Sequence, residues 1–188
     1  MIFDAIEFAT AAHRGQYRKG TRVPYILHPL NAARTLIEAG CAETLVLAAI
    51  LHDIVEDTPV TLDEVRGRFG ARVAELVDSA TEPDKLWSWE KRKRHTIDRL
   101  ESADGEMLLV AIADKLDNIR ALREDLQRHG ENTWRRFNRG RTAQAWYYNS
   151  LAGIFHRRLD QPPGLALATE FHAEVAAVFN GSSGSSGS

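Results

Sequence analysis

Three short segments set ionisable side chains inside apolar, helix-compatible surroundings. They are Pro24-Tyr25-Ile26-Leu27-His28-Pro29, then the run from Ala48 to Asp57 (AAILHDIVED), then the run from Leu109 to Asn118 (LVAIADKLDN). In the second, His52 and Glu56 are four residues apart and Asp53 and Glu56 three apart, so on one helix the three side chains converge. A carboxylate in such surroundings is costly unless it is paired or holds a cation. Asp114 poses the same problem in the third segment. A divalent metal answers both. Two imidazoles and two carboxylates form a mixed nitrogen and oxygen donor set, compatible with Mn²⁺, Fe²⁺, Zn²⁺ or Co²⁺. Four protein donors on an ion that accepts six leave room for water and a substrate oxygen. Taken without its surroundings, an H…HD…D pattern fits packed core histidines as well as it fits ligands.

The elements that must carry these groups read as helices. Strand signals are nearly absent: there is no sustained alternation of apolar and polar residues and no Asn-Gly hairpin. Helical spacing recurs over 2–13, 29–39, 42–55, 71–80, 106–128, 133–158 and 165–179. Thr61 opens T-L-D-E, a capping-box pattern in which Glu64 reaches back to the Thr61 backbone. Ser88 is a candidate cap for a charged helix over 88–101. Residues 14–27 contain two glycines and a proline and read as a loop. The expectation is a single all-α domain over 1–180, of roughly seven or eight helices. Residues 181–188, GSSGSSGS, read as an appended flexible linker or tag.

Composition narrows the function classes. Hydrophobic residues make up 44% and charged residues 27% of the 188, as in an ordinary globular protein. The formal net charge of −2 lacks the basic excess that drives non-specific nucleic-acid binding. The single cysteine, Cys41, excludes an internal disulfide framework and a multi-cysteine zinc site, and reads as a small packed residue. No apolar run reaches the roughly 18 residues of a membrane span, and the first residues lack a basic, signal-like start. A cytoplasmic protein with a small-molecule substrate, and with neither nucleic acid nor membrane as partner, is expected.

The stretches AHRGQYRKGTRVPYILHPLNAA, AAILHDIVEDTPVTLDEVRGRFG and IADKLDNI resemble the HD superfamily of metal-dependent phosphohydrolases. More narrowly, they are similar to the hydrolase domains of RelA/SpoT-type alarmone enzymes and to the small alarmone hydrolases. The likeness runs over most of residues 4–155. It implies Mn²⁺-dependent hydrolysis of the 3′-pyrophosphate of guanosine 3′,5′-bis(diphosphate), giving GDP or GTP and pyrophosphate. It further implies His28, His52, Asp53 and Asp114 as metal ligands, and Glu56 and Asp57 as the acidic pair that activates or orients the attacking water. Arg18 and Lys19 match a pair beside the guanine base, and Asn118 matches a nucleotide contact. Asp117 stands where relatives often carry His or Tyr. The segment WRRFNRGRTAQAWYY is similar to a bacterial subgroup known only as HD phosphohydrolases.

Several roles have two readings on sequence alone. Arg141, Tyr147 and Tyr148 could close the pocket as phosphate and base contacts; alternatively Arg141 is a surface residue and one tyrosine packs in the core with Trp146. The basic run Lys91 to His95 could attract a polyanionic nucleotide or be an ordinary exposed face. Competing functions are hydrolysis of another nucleotide (a monophosphate, a deoxynucleoside triphosphate or an NADPH-like cofactor) and a non-catalytic nucleotide-binding module.

Overall fold

The computed structural model describes residues 1–81 and 86–180; the expected linker over 181–188 lies outside them. Among the described residues the chain forms ten α-helical segments: α1 (Ile2–Ala12), α2 (Leu27–Glu38), α3 (Glu43–Leu51), α4 (Ile54–Asp57), α5 (Leu62–Phe69), α6 (Ala71–Ala80), α7 (Trp89–Ser102), α8 (Gly105–His129), α9 (Arg141–Arg158) and α10 (Gly164–Phe179). A 3₁₀ segment occupies Gly130–Arg136. The described residues form no strand; extended pairing is limited to one isolated bridge, Tyr17 to Pro24, across the loop that precedes α2.

Local chemistry sets most boundaries. The Thr61 hydroxyl accepts from the Glu64 N–H at 3.3 Å while the Glu64 carboxylate takes the Thr61 N–H at 2.8 Å, so both halves of the capping box form. Ser88 caps α7 through the Lys91 N–H, and Asp104 caps α8 through the Met107 N–H. Gly70 ends α5 and opens α6 at φ +93°, a conformation that side-chain-bearing residues rarely adopt. No helix of the described residues is long and apolar enough to cross a membrane.

Helix α3 is buried all round, from Leu45 to Leu51. It packs against α1, α2, α6 and α8, and α8 in turn packs against α2 and α10. Phe155 of α9 and Phe171 of α10, both fully buried, meet edge to face with centroids 5.3 Å apart.

Two expected helices are split. The run over 42–55 breaks at His52-Asp53, leaving α3 and the single turn α4. The His52 ring is the cause: its Nδ1 donates at 2.8 Å to the Ala49 carbonyl, the acceptor that the Asp53 N–H would take in a continuous helix. The run over 133–158 divides into the 3₁₀ segment and α9, which starts at Arg141 after Gly140. There the Thr133 hydroxyl turns back to the Asp125 carbonyl at 2.9 Å and ties the 3₁₀ segment to α8.

Candidate metal centre

Four side chains from three parts of the chain meet at the floor of a cleft of about 790 Å³. His28 comes from the first turn of α2, His52 and Asp53 from the break after α3, and Asp114 from the middle of α8. The two imidazoles are buried, with exposures of 3% and 1%. His28 Nε2 and His52 Nε2 face each other at 3.2 Å. Asp53 Oδ2 lies 3.0 Å from His52 Nε2 and 3.4 Å from His28 Nε2. Asp114 Oδ1 lies 3.2 Å from His28 Nε2 and 3.8 Å from His52 Nε2. Ligand atoms of His28, His52 and Asp114 all fall within 4.8 Å of one another.

The donor chemistry fits a divalent cation. His52 Nδ1 faces the Ala49 carbonyl and His28 Nδ1 faces Asp117 Oδ2 at 2.7 Å, so each outer nitrogen carries the ring proton. Each Nε2 then points inward, onto the other Nε2 and onto two carboxylates, where it can hold either a proton or an ion. Nitrogens and carboxylates so arranged call for positive charge between them, supplied by protons or by an ion. Ligands at right angles, each about 2.1 Å from one ion, lie about 3 Å apart, which matches the shorter of these separations.

The electrostatics agree. Burial opposes charge on His28, but hydrogen bonds to Asp114, Asp117 and Asp53 outweigh it and hold its pKa well above the ordinary value. His52 is likewise raised, against its burial, by Asp53 and Asp114. Asp53 is held well below the carboxylate range by His52 and His28, and Asp114 is lowered by Lys115 and the two histidines, in both cases against burial. These shifts all favour positive charge at the two Nε2 atoms, between the two carboxylates.

Other side chains hold these groups in place. The Tyr25 hydroxyl donates to Asp53 Oδ2 at 2.5 Å, and burial together with the Asp53 charge pushes the Tyr25 pKa far up. Lys115 Nζ sits 2.7 Å from Asp114 Oδ2, and the Asn118 amide donates to Asp114 Oδ1 at 2.6 Å. Asp117, also buried, accepts from His28, from the Arg18 guanidinium and from Asn31 Nδ2 at 2.9 Å.

Of the residues singled out in the sequence, His28, Asp53, Glu56, Asp57, Asp114, Arg18, Lys19 and Asn118 line the cleft, with His52 buried behind its floor. Asn118, expected as a nucleotide contact, has its amide on the Asp114 carboxylate. Two expected contacts are not brought to the cleft. The Arg141 guanidinium reaches the Phe179 carbonyl at 3.2 Å and lies 3.4 Å from Glu131. Tyr147 is 3% exposed and packs among Trp89, Tyr148 and Lys93. Its neighbour Tyr148 lines the cleft instead. One residue along α9 turns a side chain by about 100°, so a single step decides which tyrosine faces the site. Tyr25 and Asn31 were not singled out. The signal for Tyr25 was its place three residues before His28, and for Asn31 its place three after, one helical turn along the face that His28 presents.

The sequence matches the HD domain family over residues 5–143. A curated mouse protein named guanosine-3′,5′-bis(diphosphate) 3′-pyrophosphohydrolase MESH1 is 45% identical over 124 residues, which cover 64% of this chain and 69% of that protein. A guanosine-3′,5′-bis(diphosphate) 3′-pyrophosphohydrolase of Aquifex aeolicus is 42% identical over 120 residues, 63% of this chain but 17% of that longer protein. Among solved structures, lmo0812 of Listeria monocytogenes EGD-e superposes with a TM-score of 0.74 at 39% identity, covering 81% of this chain and 99% of that one. A structure described as a metazoan ortholog of SpoT that hydrolyses ppGpp gives a TM-score of 0.74 at 28% identity, covering 92% of each chain. The extent of the family match, over a fold and a His-His-Asp cluster of this kind, makes the chain a member of the HD domain family.

Proposed function

We propose that this chain hydrolyses guanosine 3′,5′-bis(diphosphate) at its 3′-diphosphate, with Mn²⁺ held by His28, His52, Asp53 and Asp114. The observation that carries the reading is the opposed pair of Nε2 atoms, 3.2 Å apart between two carboxylates, at the floor of a cleft with Arg18 and Lys19 among its walls. The names of the curated relatives supply the substrate class. A divalent ion at this position supplies Lewis acidity, lowering the pKa of water and polarising a phosphoryl oxygen.

The chain's own residues do the rest. Of Glu56 and Asp57, at the cleft wall beside Asp53, one takes the proton of the attacking water and the other orients it. The water oxygen bonds to the phosphorus carried on O3′, the O3′–P bond breaks, O3′ regains a proton and pyrophosphate leaves. Arg18 presents a planar guanidinium suited to a base or a phosphate, and Lys19 a compact charge, its Nζ 3.3 Å from Asn138. Tyr25 and Lys115 hold the Asp53 and Asp114 carboxylates in position.

A nucleotide panel with Mn²⁺ tests this directly. Guanosine 3′,5′-bis(diphosphate) is expected to give GDP and pyrophosphate, with nucleoside monophosphates, deoxynucleoside triphosphates and NADPH turned over far more slowly. Preferred release of inorganic phosphate from NADPH or from a monophosphate would overturn the substrate assignment and leave the metal site standing.

A further inference from the structure

Asp117 is a buried carboxylate outside the set of candidate ligands, and it takes three donors at once. Its Oδ2 accepts from His28 Nδ1 at 2.7 Å and from the Arg18 guanidinium, and its Oδ1 accepts from Asn31 Nδ2 at 2.9 Å. Burial opposes its charge, but His28, Arg18 and Asn31 together hold its pKa below the ordinary value. The placement follows from helix register. His28 and Asn31 lie three apart on α2, and Asp114 and Asp117 three apart on α8, so two packed helices present matched faces one turn long. Arg18 arrives from the loop between α1 and α2, across 99 positions of sequence.

We infer that Asp117 is a positioning residue that couples the metal ligand His28 to the nucleotide-facing Arg18. Its carboxylate accepts the hydrogen bond of His28 Nδ1–H and so keeps that proton on Nδ1, which leaves Nε2 for the ion. A metal-bound histidine keeps its ring orientation through such an outer carboxylate. The same oxygen anchors Arg18, so the guanidinium is held at the cleft wall before any nucleotide arrives. That saves side-chain ordering on binding and favours affinity without a new contact. One carboxylate thereby sets both the metal's imidazole and the nucleotide's arginine. The Arg18 half rests on the substrate reading given above; the His28 half does not.

The Asp117→Asn variant separates this from a packing role. An amide keeps the size but loses the charge and one of the two acceptor oxygens. Mn²⁺ affinity, measured by calorimetry without nucleotide, is expected to fall roughly 10- to 100-fold. With Mn²⁺ saturating, KM for guanosine 3′,5′-bis(diphosphate) is expected to rise more than kcat falls. In the Arg18→Ala background, Asp117→Asn should add little further to KM while still weakening Mn²⁺. A packing role alone would lower the melting temperature and the active fraction, with Mn²⁺ affinity and KM unchanged, and that result overturns the inference. Additive KM effects overturn the Arg18 half. Failure on this nucleotide alone, with Mn²⁺ affinity reduced as expected, refutes the substrate reading instead. In case the variant does not fold, ¹⁵N chemical shifts of the wild-type protein loaded with diamagnetic Zn²⁺ should show His28 protonated at Nδ1 and bound through Nε2; the opposite tautomer refutes the coupling.

Discussion

Metal binding at this cluster should be an exchange of protons for the ion, and its size follows from the arrangement. Without a cation, His28 and His52 are held above their ordinary pKa and Asp53 and Asp114 below theirs. Up to two protons therefore sit on the two Nε2 atoms, the atoms to which the proposed ion would bind. The binding constant should then rise by up to about 100-fold, or about 2.7 kcal/mol, per pH unit until the pH passes the raised imidazole values. Stability of the metal-free protein follows the same groups with a definite sign. A raised histidine contributes stability that is fully present below its ordinary 6.5 and is lost as pH climbs through the folded value. A lowered aspartate contributes stability that is present above its ordinary 3.8 and is lost as pH falls through the folded value. Metal-free protein should accordingly be most stable between about pH 4 and pH 6.5, and Mn²⁺ should stabilise it most above that window. At a hundredfold excess over Kd the added stability is about 2.7 kcal/mol. Calorimetric Mn²⁺ titrations from pH 6 to 8, in buffers of different ionisation heat, measure the protons released, and melting curves measure the stability. Affinity indifferent to pH, or metal-free protein that gains stability above pH 6.5, would refute the reasoning.

Three further outcomes are expected. Glu56→Gln should keep a full complement of Mn²⁺ and lose roughly 10²- to 10⁴-fold in turnover, as expected for loss of a proton acceptor, whereas metal loss in this variant would make Glu56 a ligand. Arg18→Ala should raise KM with a smaller change in kcat, because the guanidinium acts on the nucleotide; a pure loss of kcat in steady-state kinetics would contradict that role. Phe155→Ala, in the fully buried contact with Phe171, should cost about 3–5 kcal/mol in urea unfolding, and a loss under 1 kcal/mol would show that the α9–α10 contact is not a core one.

Much of the positioning framework was legible because it rests on local rules. The Thr61–Glu64 capping box, the Ser88 cap and the long α8 follow from spacing alone, and each forms as expected. The break at His52-Asp53 was not legible. A run as apolar as 42–51 gives no hint that an imidazole will take the Ala49 carbonyl while its other nitrogen faces His28 and Asp53 from distant or following positions. The choice between Tyr147 and Tyr148 was hidden for a related reason: adjacent aromatic residues on a helix both look buried, and only packing against α7 and α10 decides which one turns to the cleft. Asp117 was visible as a departure from the family pattern, but its three donors come from two other parts of the chain.

The most direct test of the account is a titration of metal-free protein with Mn²⁺ in which bound metal and hydrolysis of guanosine 3′,5′-bis(diphosphate) are followed together. Turnover should rise in step with occupancy, reach its plateau at one ion per chain, and vanish along with metal binding in His52→Ala. Full turnover without metal, or a saturated site that releases no pyrophosphate, would contradict it.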